Sequence, residues 1–109
     1  MEINILGQKY ELLVLNEKEF PKLKIHKASG LAELYDKKLI INNDNCIENE
    51  FTYDNLKEYI HKVVRHEIIH AYFHESGLTN YGEDEQLVEW LSHQIPKIVK
   101  TINEAENII

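Results

Sequence analysis

The chain has 109 residues, of which 43% are hydrophobic and 28% charged, a length that suits a single domain with its own core. Twelve Lys and Arg stand against nineteen Asp and Glu, so the net charge is −7 with histidine neutral. Nucleic acid and anionic membrane surfaces are therefore unexpected partners, because binding either needs a clustered basic surface. Residues 51–109 hold five of the six histidines. An acidic, histidine-rich half is where metal chemistry is expected.

The first half of the chain has the alternation of β-strands. Apolar residues recur at every second position on either side of a turn at Gly7, which predicts a hairpin: Ile3, Ile5, Tyr10, Leu12 and Val14. Residues 17–29 are polar and predict a turn or a short helix. Residues 30–35 and 38–42 flank a turn at Asp36, which predicts a second hairpin.

The second half has helical spacing. Apolar residues recur at three and four positions from a candidate N-cap at Asp54 to about Glu75, and Gly77 suits the helix C-terminus. Asn80 with Glu83 predicts a capping box that opens a second helix. The apolar stripe of that helix is Leu87, Leu91, Ile95, Ile98 and Ile102. Pro96 is expected to bend this helix or to begin a new one. The sequence thus predicts one α+β domain over residues 1–109, with 1–50 mainly β and 51–109 mainly α.

The single Cys46, the N-terminal residues and the lack of a long apolar stretch indicate the kind of compartment in which the protein is expected. One cysteine allows neither an intramolecular disulfide nor a cysteine-rich zinc site. The first seven residues lack the basic and apolar regions of a signal peptide, and no stretch approaches 18 consecutive apolar residues. A soluble, cytoplasmic protein without a membrane partner is therefore expected.

The pattern His66-Glu67-x-x-His70 is the strongest indication of function. On a helix the two histidines lie one above the other, so both imidazoles can reach one ion. Glu67 is rotated by about 100° from His66, which suits a hydrogen bond to a metal-held water better than ligation. Zinc lowers the pKa of such a water to about 7, and Glu67 is then the general base that takes its proton.

The surroundings favour this interpretation over an ordinary helix with solvated histidines. The neighbouring positions are apolar, among them Val63, Ile69 and Phe73, so most of the helix should be buried. Two histidines and a glutamate are costly to bury unless they are paired or bind a metal.

A catalytic zinc needs three protein ligands and one open position. If the two helices pack antiparallel, Glu85 lies level with His70 and Glu89 nearer the level of His66. Glu85 is the favoured third ligand, Glu89 the alternative, and the remaining one would accept a hydrogen bond from an imidazole. His74 continues the histidine row but is expected to face solvent. His93 and Tyr81 are candidate oxyanion donors, although each can equally pack or cap.

The segment from His66 to Ala71, followed by Glu85 to Glu89, resembles the gluzincin metallopeptidases, most closely their small phage- and mobile-element-associated members near the ImmA/IrrE family. In that family a glutamate ligand is followed at the fourth position by an acidic or amide residue, so the resemblance implies Glu85 as ligand and Glu89 behind it. It also implies a small twisted sheet of three to four strands, packed on the active-site helix, and an edge strand that binds an extended peptide. That strand would be Lys38, Leu39, Ile40, Ile41, Asn42 and Asn43.

The leading prediction is therefore a compact peptidase that holds one zinc per chain and acts on a protein or peptide. The alternative is a structural or sensing zinc in a phage or mobile-element interaction protein. The intact Glu67 speaks against the alternative, because a structural site needs no base and is usually closed by a fourth protein ligand. Neither the substrate nor the oligomeric state can be predicted from these residues.

Overall fold

The structure is a computed structural model that describes residues 1–46 and 56–109. Its elements in chain order are β1 (Glu2–Ile5), β2 (Gln8–Leu15), α1 (Lys22–Ile25), β3 (Gly30–Glu33), β4 (Lys38–Asn42), a 3-10 turn (Asn43–Cys46), α2 (Leu56–Glu75), α3 (Thr79–Gly82) and α4 (Glu85–Glu106). The α+β class is confirmed. The predicted N-cap Asp54 lies outside the described residues.

The sheet has the strand order β1-β2-β4-β3. β1 pairs with β2 and β3 pairs with β4, both antiparallel, which confirms the two predicted hairpins. The hairpins are joined by a parallel pairing of β2 with β4, in which Leu12 lies opposite Leu39. The short helix α1 lies in the connection between the two hairpins, within the segment predicted as a turn or short helix.

The prediction that the substrate strand is Lys38, Leu39, Ile40, Ile41, Asn42 and Asn43 is wrong. β4 lies between β2 and β3, so both of its edges are already paired, and Asn43 belongs to the 3-10 turn. Leu39, Ile40 and Ile41 are at most 1% exposed. Three consecutive buried apolar residues are typical of a central strand covered on both faces. The edge strands of the described sheet are β1 and β3.

The core lies between the sheet and α2. Ile5, Tyr10 and Leu39 pack with Ala71 of α2, and Ile68 lies against the same cluster. Side chains alternate along a strand, so Ile40 faces the other side of the sheet from Leu39. Leu23 of α1 is also fully buried. The sheet therefore fixes α2 along one of its faces.

The connection between α2 and α4 agrees with the prediction at the end of α2 but differs from it at the start of α4. α2 ends at Glu75 and Gly77 has a φ of 80°, as the glycine signal predicts. The predicted capping box at Asn80 is wrong, because Thr79–Gly82 forms the separate helix α3. Asp84 caps α4 instead: its Oδ1 accepts a hydrogen bond from the Leu87 N–H at 3.1 Å.

α4 runs without interruption through Pro96, so the proline does not begin a new helix. A proline has no N–H for the carbonyl four residues earlier, here that of Ser92. The Nε of Arg65 on α2 donates to that carbonyl at 2.7 Å. A side chain from the neighbouring helix thus replaces the missing helical hydrogen bond. Within the described residues, no helix has both the length and the apolarity needed to cross a membrane.

Candidate metal centre

Two histidines of α2 point towards α4 with their Nε2 atoms facing each other. The His66 and His70 Nε2 atoms are 3.2 Å apart, and the rings meet edge to face with centroids 4.9 Å apart. Both side chains are nearly buried, at 14% and 13% exposure. The four-residue spacing therefore places both imidazoles on one face, as predicted.

Glu85, the first residue of α4, completes the group. Its Oε2 lies 3.0 Å from His66 Nε2 and its Oε1 3.0 Å from His70 Nε2. The three ligand atoms all lie within 4.8 Å of one another. The Glu85 side chain is 68% exposed, so the centre opens to solvent on that side. Two imidazoles and one carboxylate are a donor set that suits a catalytic zinc ion.

Gly82 determines which nitrogen of His70 is free to bind a metal. Nδ1 of His70 lies 2.7 Å from the Gly82 carbonyl oxygen, which can only accept, so Nδ1–H is the donor. The Nε2 lone pair is then directed at His66 and Glu85. Hydrogen bonds of this kind orient the histidine ligands of metal sites. A Cβ at position 82 would lie 3.0 Å from the Cβ of Phe73, so glycine permits this close approach.

His66 is held in the form that a metal requires. Burial lowers its pKa, and the neighbouring His70 lowers it further, whereas Glu85 and Glu89 act in the opposite direction. A neutral imidazole keeps a lone pair for coordination, and binding then releases few protons.

Glu89 lies behind His66 and not in the ligand group. Its Oε1 is 3.0 Å from Lys62 Nζ and 3.1 Å from Ser92 Oγ, while its Oε2 is 3.7 Å from His66 Nδ1. Burial opposes ionisation of Glu89, but the bonds to Lys62 and Ser92 hold its pKa below the usual value. The carboxylate therefore stays charged beside the His66 nitrogen that faces away from Glu85.

Glu67 is buried at the side of the metal group. The residue is 5% exposed, and its carboxylate lies against the backbone of β3. The pKa of Glu67 is raised to about 8, chiefly by burial and also by the nearby Glu85 and Glu89 carboxylates, whereas Lys62 acts in the opposite direction. A divalent cation next to Glu67 would favour its ionised form and bring the pKa down again.

Gly30 is what allows β3 to run so close to Glu67. A Cβ at this position would lie 2.9 Å from Glu67 Oε2 and 3.0 Å from Val63 Cγ1. Asn42 N donates to the Ser29 carbonyl at 2.9 Å. Hydrogen-bonding positions alternate along a ladder, so the polar backbone groups of Gly30 and Ala32 face away from β4.

A groove of about 410 Å³ follows this free edge of β3 and is floored by the metal group and Glu67. It is continued beyond His70 by a smaller pocket of about 140 Å³ at Leu34, Tyr35 and His74. On the other side of His66 a pocket of about 270 Å³ reaches Ser29 and Glu89. The three spaces share lining residues, so together they form one extended cleft along β3 that crosses the metal group.

The remaining predicted residues lie elsewhere. His93 is 56% exposed and its Nε2 is 3.4 Å from Glu89 Oε1. Tyr81 is 55% exposed and its ring lies 6.2 Å from that of Phe73. The structure thus does not bring His93 or Tyr81 into the groove. His74 is at its far end, edge-on to Tyr35 at 5.6 Å.

Three residues with a role at the centre were missed by the sequence analysis: Gly30, Lys62 and Gly82. A glycine inside a strand pattern is a known sign of close backbone approach, so Gly30 carried a usable signal. Lys62 and Gly82 carried none, because their roles depend on how α2, α3 and α4 pack together.

No protein-family model, curated protein sequence or solved structure matches the chain. The residues of the chain itself therefore indicate what the centre does.

Proposed function

We propose that the protein is a zinc-dependent peptidase of gluzincin type that acts in the cytoplasm on an extended peptide. The observation that carries the proposal is the convergence of His66, His70 and Glu85, with ligand atoms within 4.8 Å of one another, next to the buried carboxylate of Glu67. Two imidazoles, a carboxylate and a separate buried acid are the groups that hydrolysis by an activated water requires.

The chain would supply the binding and proton-transfer steps. A zinc ion held by His66, His70 and Glu85 would lower the pKa of a water molecule and polarise the substrate carbonyl. With zinc bound, the Glu67 carboxylate would accept a proton from that water and would later donate it to the leaving amine. Its position suits both steps, because a cation in the metal group would keep the carboxylate ionised and ready to accept a proton, and its burial would keep that proton away from bulk water until the amine takes it.

The free edge of β3 would position the substrate. The outward backbone groups of Gly30 and Ala32 are spaced as a further antiparallel strand requires, and the groove below that strand contains the metal group. A peptide paired with β3 would carry its scissile bond past Glu67. The strand of the protein that we propose to bind the substrate is therefore β3.

The surroundings of Glu89 favour a catalytic site over a closed structural one. Lys62 and Ser92 already bind its carboxylate. Within residues 1–46 and 56–109, the metal-binding group comprises three residues. Three protein ligands and an exposed side are typical of a catalytic zinc.

The proposal is tested first by metal content. The purified protein, reconstituted with zinc and freed of excess metal, should retain one ion per chain by elemental analysis. His70→Ala should lose that ion, while His93→Ala, which changes an exposed histidine outside the group, should keep it. Failure of the parent to bind zinc would overturn the proposal.

Activity is tested on a proteome-derived peptide mixture, in which new N-termini are identified by mass spectrometry. The zinc-loaded parent should produce cleavages that Glu67→Gln does not, although this variant should still bind zinc. Equal cleavage by the parent and Glu67→Gln would show that Glu67 is not the base.

A further inference from the structure

The cleft along β3 continues past His70 into a pocket of about 140 Å³, and most of this pocket plays no part in holding a metal. We call it the Tyr35 pocket. Apart from His70 and Gly82, it is lined by Leu34, Tyr35, His74, Thr79 and Glu83. Tyr35 is 94% exposed, so its ring is open to an entering group. The pocket thus combines an apolar and aromatic wall with a carboxylate.

The register of β3 predicts which part of a substrate reaches the Tyr35 pocket. Ala32 and Leu34 both pack on the core cluster that contains Ala71 of α2, so their side chains face α2. Residues opposite each other in an antiparallel pair project to the same face of the sheet. A substrate residue opposite Leu34 would therefore direct its side chain into the Tyr35 pocket. The residue opposite Gly30, beside Glu67, comes four residues later along an antiparallel substrate, so the pocket lies on the N-terminal side of the scissile bond.

The charges along the cleft leave one carboxylate without a partner. Of the described residues that line the cleft, four are glutamates and none is lysine or arginine. A zinc ion would balance Glu85 and Glu67, and Lys62 lies 3.0 Å from Glu89. Glu83 remains unbalanced, at the wall shared by the groove and the Tyr35 pocket. A positive charge on the substrate would therefore be attracted to this end of the cleft.

We propose that the Tyr35 pocket binds a lysine or arginine side chain of the substrate, two to four residues before the scissile bond. This inference rests on the proposed peptidase function. Lysine and arginine carry a charged group on an apolar stem. The stem would lie on Leu34 and the charged group would meet the Glu83 carboxylate. The exposed ring of Tyr35 would attract the same cation through its face.

Other side chains suit the Tyr35 pocket less well. An acidic side chain would be repelled by Glu83. An apolar side chain would separate His74, Thr79 and Glu83 from water without replacing the hydrogen bonds that water makes to them. A basic side chain donates hydrogen bonds, and a carboxylate, a hydroxyl group and a neutral imidazole can each accept one.

The preference is tested on a peptide mixture prepared by cleavage after aromatic residues, so that basic and acidic residues remain inside the peptides. The mixture is treated with the zinc-loaded parent, and the sequence before each new N-terminus is determined by mass spectrometry. Lysine and arginine together should be enriched about fivefold at one position two to four residues before the cleaved bond, as an exposed charge pair allows. Added salt should reduce the enrichment, because it screens the attraction.

Glu83→Gln should abolish the enrichment, and Glu83→Lys should reverse it, so that aspartate and glutamate are favoured at the same position. Glu106→Gln and Glu106→Lys make the same charge changes on an exposed residue outside the cleft and should keep the preference of the parent. All four variants should hold one zinc ion per chain, because neither glutamate belongs to the metal group.

The part played by the aromatic ring is tested separately. Tyr35→Ala removes an almost fully exposed side chain, so circular dichroism and zinc content should not change, but the enrichment should fall to about half. Tyr35→Phe keeps the ring and should keep the enrichment within the error of the measurement.

The outcomes distinguish this inference from the proposed function. A parent that cleaves no peptide would contradict the peptidase proposal, and this inference with it. A parent that cleaves without favouring basic residues, or that favours them only after the cleaved bond, would overturn the assignment of the Tyr35 pocket alone. A preference for basic residues that persists in Glu83→Gln and Glu83→Lys would do the same.

Discussion

The backbone of Gly30 lies directly against the carboxylate of Glu67, with no room between them for a side chain. A Cβ on Gly30 would lie 2.9 Å from Glu67 Oε2 and 3.0 Å from its Cγ. The edge strand of the sheet and the proposed base are therefore in contact. A peptide that adds to β3 would lie next to Glu67.

Gly30→Ala should accordingly separate activity from metal binding. The new methyl group meets both the Glu67 side chain and Val63 Cγ1, so it costs some stability, and the Glu67 carboxylate must turn out of its position next to the metal group. We expect a loss of activity of at least about tenfold, because misplacement by about 1 Å is already costly in catalysis. Zinc content by elemental analysis should remain one per chain.

Ala32→Ser serves as the control, because it adds one atom to the same strand two residues away. The rate at which Ala32→Ser cleaves the peptide mixture should remain within a few-fold of the parent rate. Full activity in Gly30→Ala would mean that the contact with Glu67 has no part in the reaction.

A second prediction concerns Arg65 and Pro96. Ser92 is fully buried, and its carbonyl accepts from Arg65 because Pro96 has no N–H to offer. Arg65→Ala should lower the free energy of unfolding by about 1.5–3 kcal/mol, the usual effect of losing a charged hydrogen bond to a buried acceptor. Pro96→Ala introduces a backbone N–H at position 96 that can bind the Ser92 carbonyl. In this background Arg65→Ala should therefore lower the free energy of unfolding by less than half as much.

Urea denaturation of the four proteins in this cycle measures the coupling. The cycle cancels the packing of the Arg65 side-chain stem, which is lost in both backgrounds. An equal cost of Arg65→Ala with and without Pro96 would show that the two residues are not linked.

Local patterns predicted the elements of this fold better than their arrangement. The alternation around Gly7 and around Asp36 identified both hairpins, and the three- and four-residue spacing identified α2. The parallel pairing of β2 with β4 could not be predicted, because it joins strands that a short helix and another strand separate along the chain. The misplaced substrate strand follows from this gap: β4 looks like an edge until β2 is placed beside it.

In the candidate metal centre, too, the local pattern could be predicted and the tertiary contacts could not. The separation of four residues sets His66 and His70 on one face whatever else packs there, and two antiparallel helices bring Glu85 to them. The second set of contacts depends on tertiary packing. The Gly82 carbonyl reaches His70 because α3 interrupts the connection between the long helices, where a capping box at Asn80 was expected. Lys62 reaches Glu89 only because α2 and α4 lie side by side.

The third metal ligand yields a further prediction. Glu85→Gln should weaken zinc binding by at least about 100-fold, because Glu85 supplies a charged ligand atom. Glu89→Gln should weaken it by about tenfold, as expected of a group that acts through His66. Glu83→Gln, which changes a groove-lining carboxylate outside the metal group, should leave affinity unchanged. Competition with a chromophoric chelator measures all three. A larger loss in Glu89→Gln than in Glu85→Gln would exchange the two roles.

The last prediction follows from the burial of Glu67. Without metal its pKa is raised from 4.5 to about 8, so between these values the folded protein holds a proton that the unfolded chain has released. The contribution of protonated Glu67 to the free energy of unfolding is therefore fully present below about pH 4.5 and is lost as the pH rises towards 8. Glu67→Gln has no proton to lose. In the presence of a chelator, the free energy of unfolding of Glu67→Gln relative to that of the parent should therefore rise by roughly 2–4 kcal/mol between pH 5 and pH 8.

Urea unfolding of both proteins at the two pH values measures this gain, and the comparison cancels every other titrating group. With zinc bound the gain should shrink, because a cation beside the carboxylate favours its ionised form and removes the reason for the raised pKa. A gap between the two proteins that is independent of pH in the metal-free state would show that Glu67 titrates normally. A gap that zinc leaves unchanged would place the ion away from Glu67, which the proposed reaction does not allow.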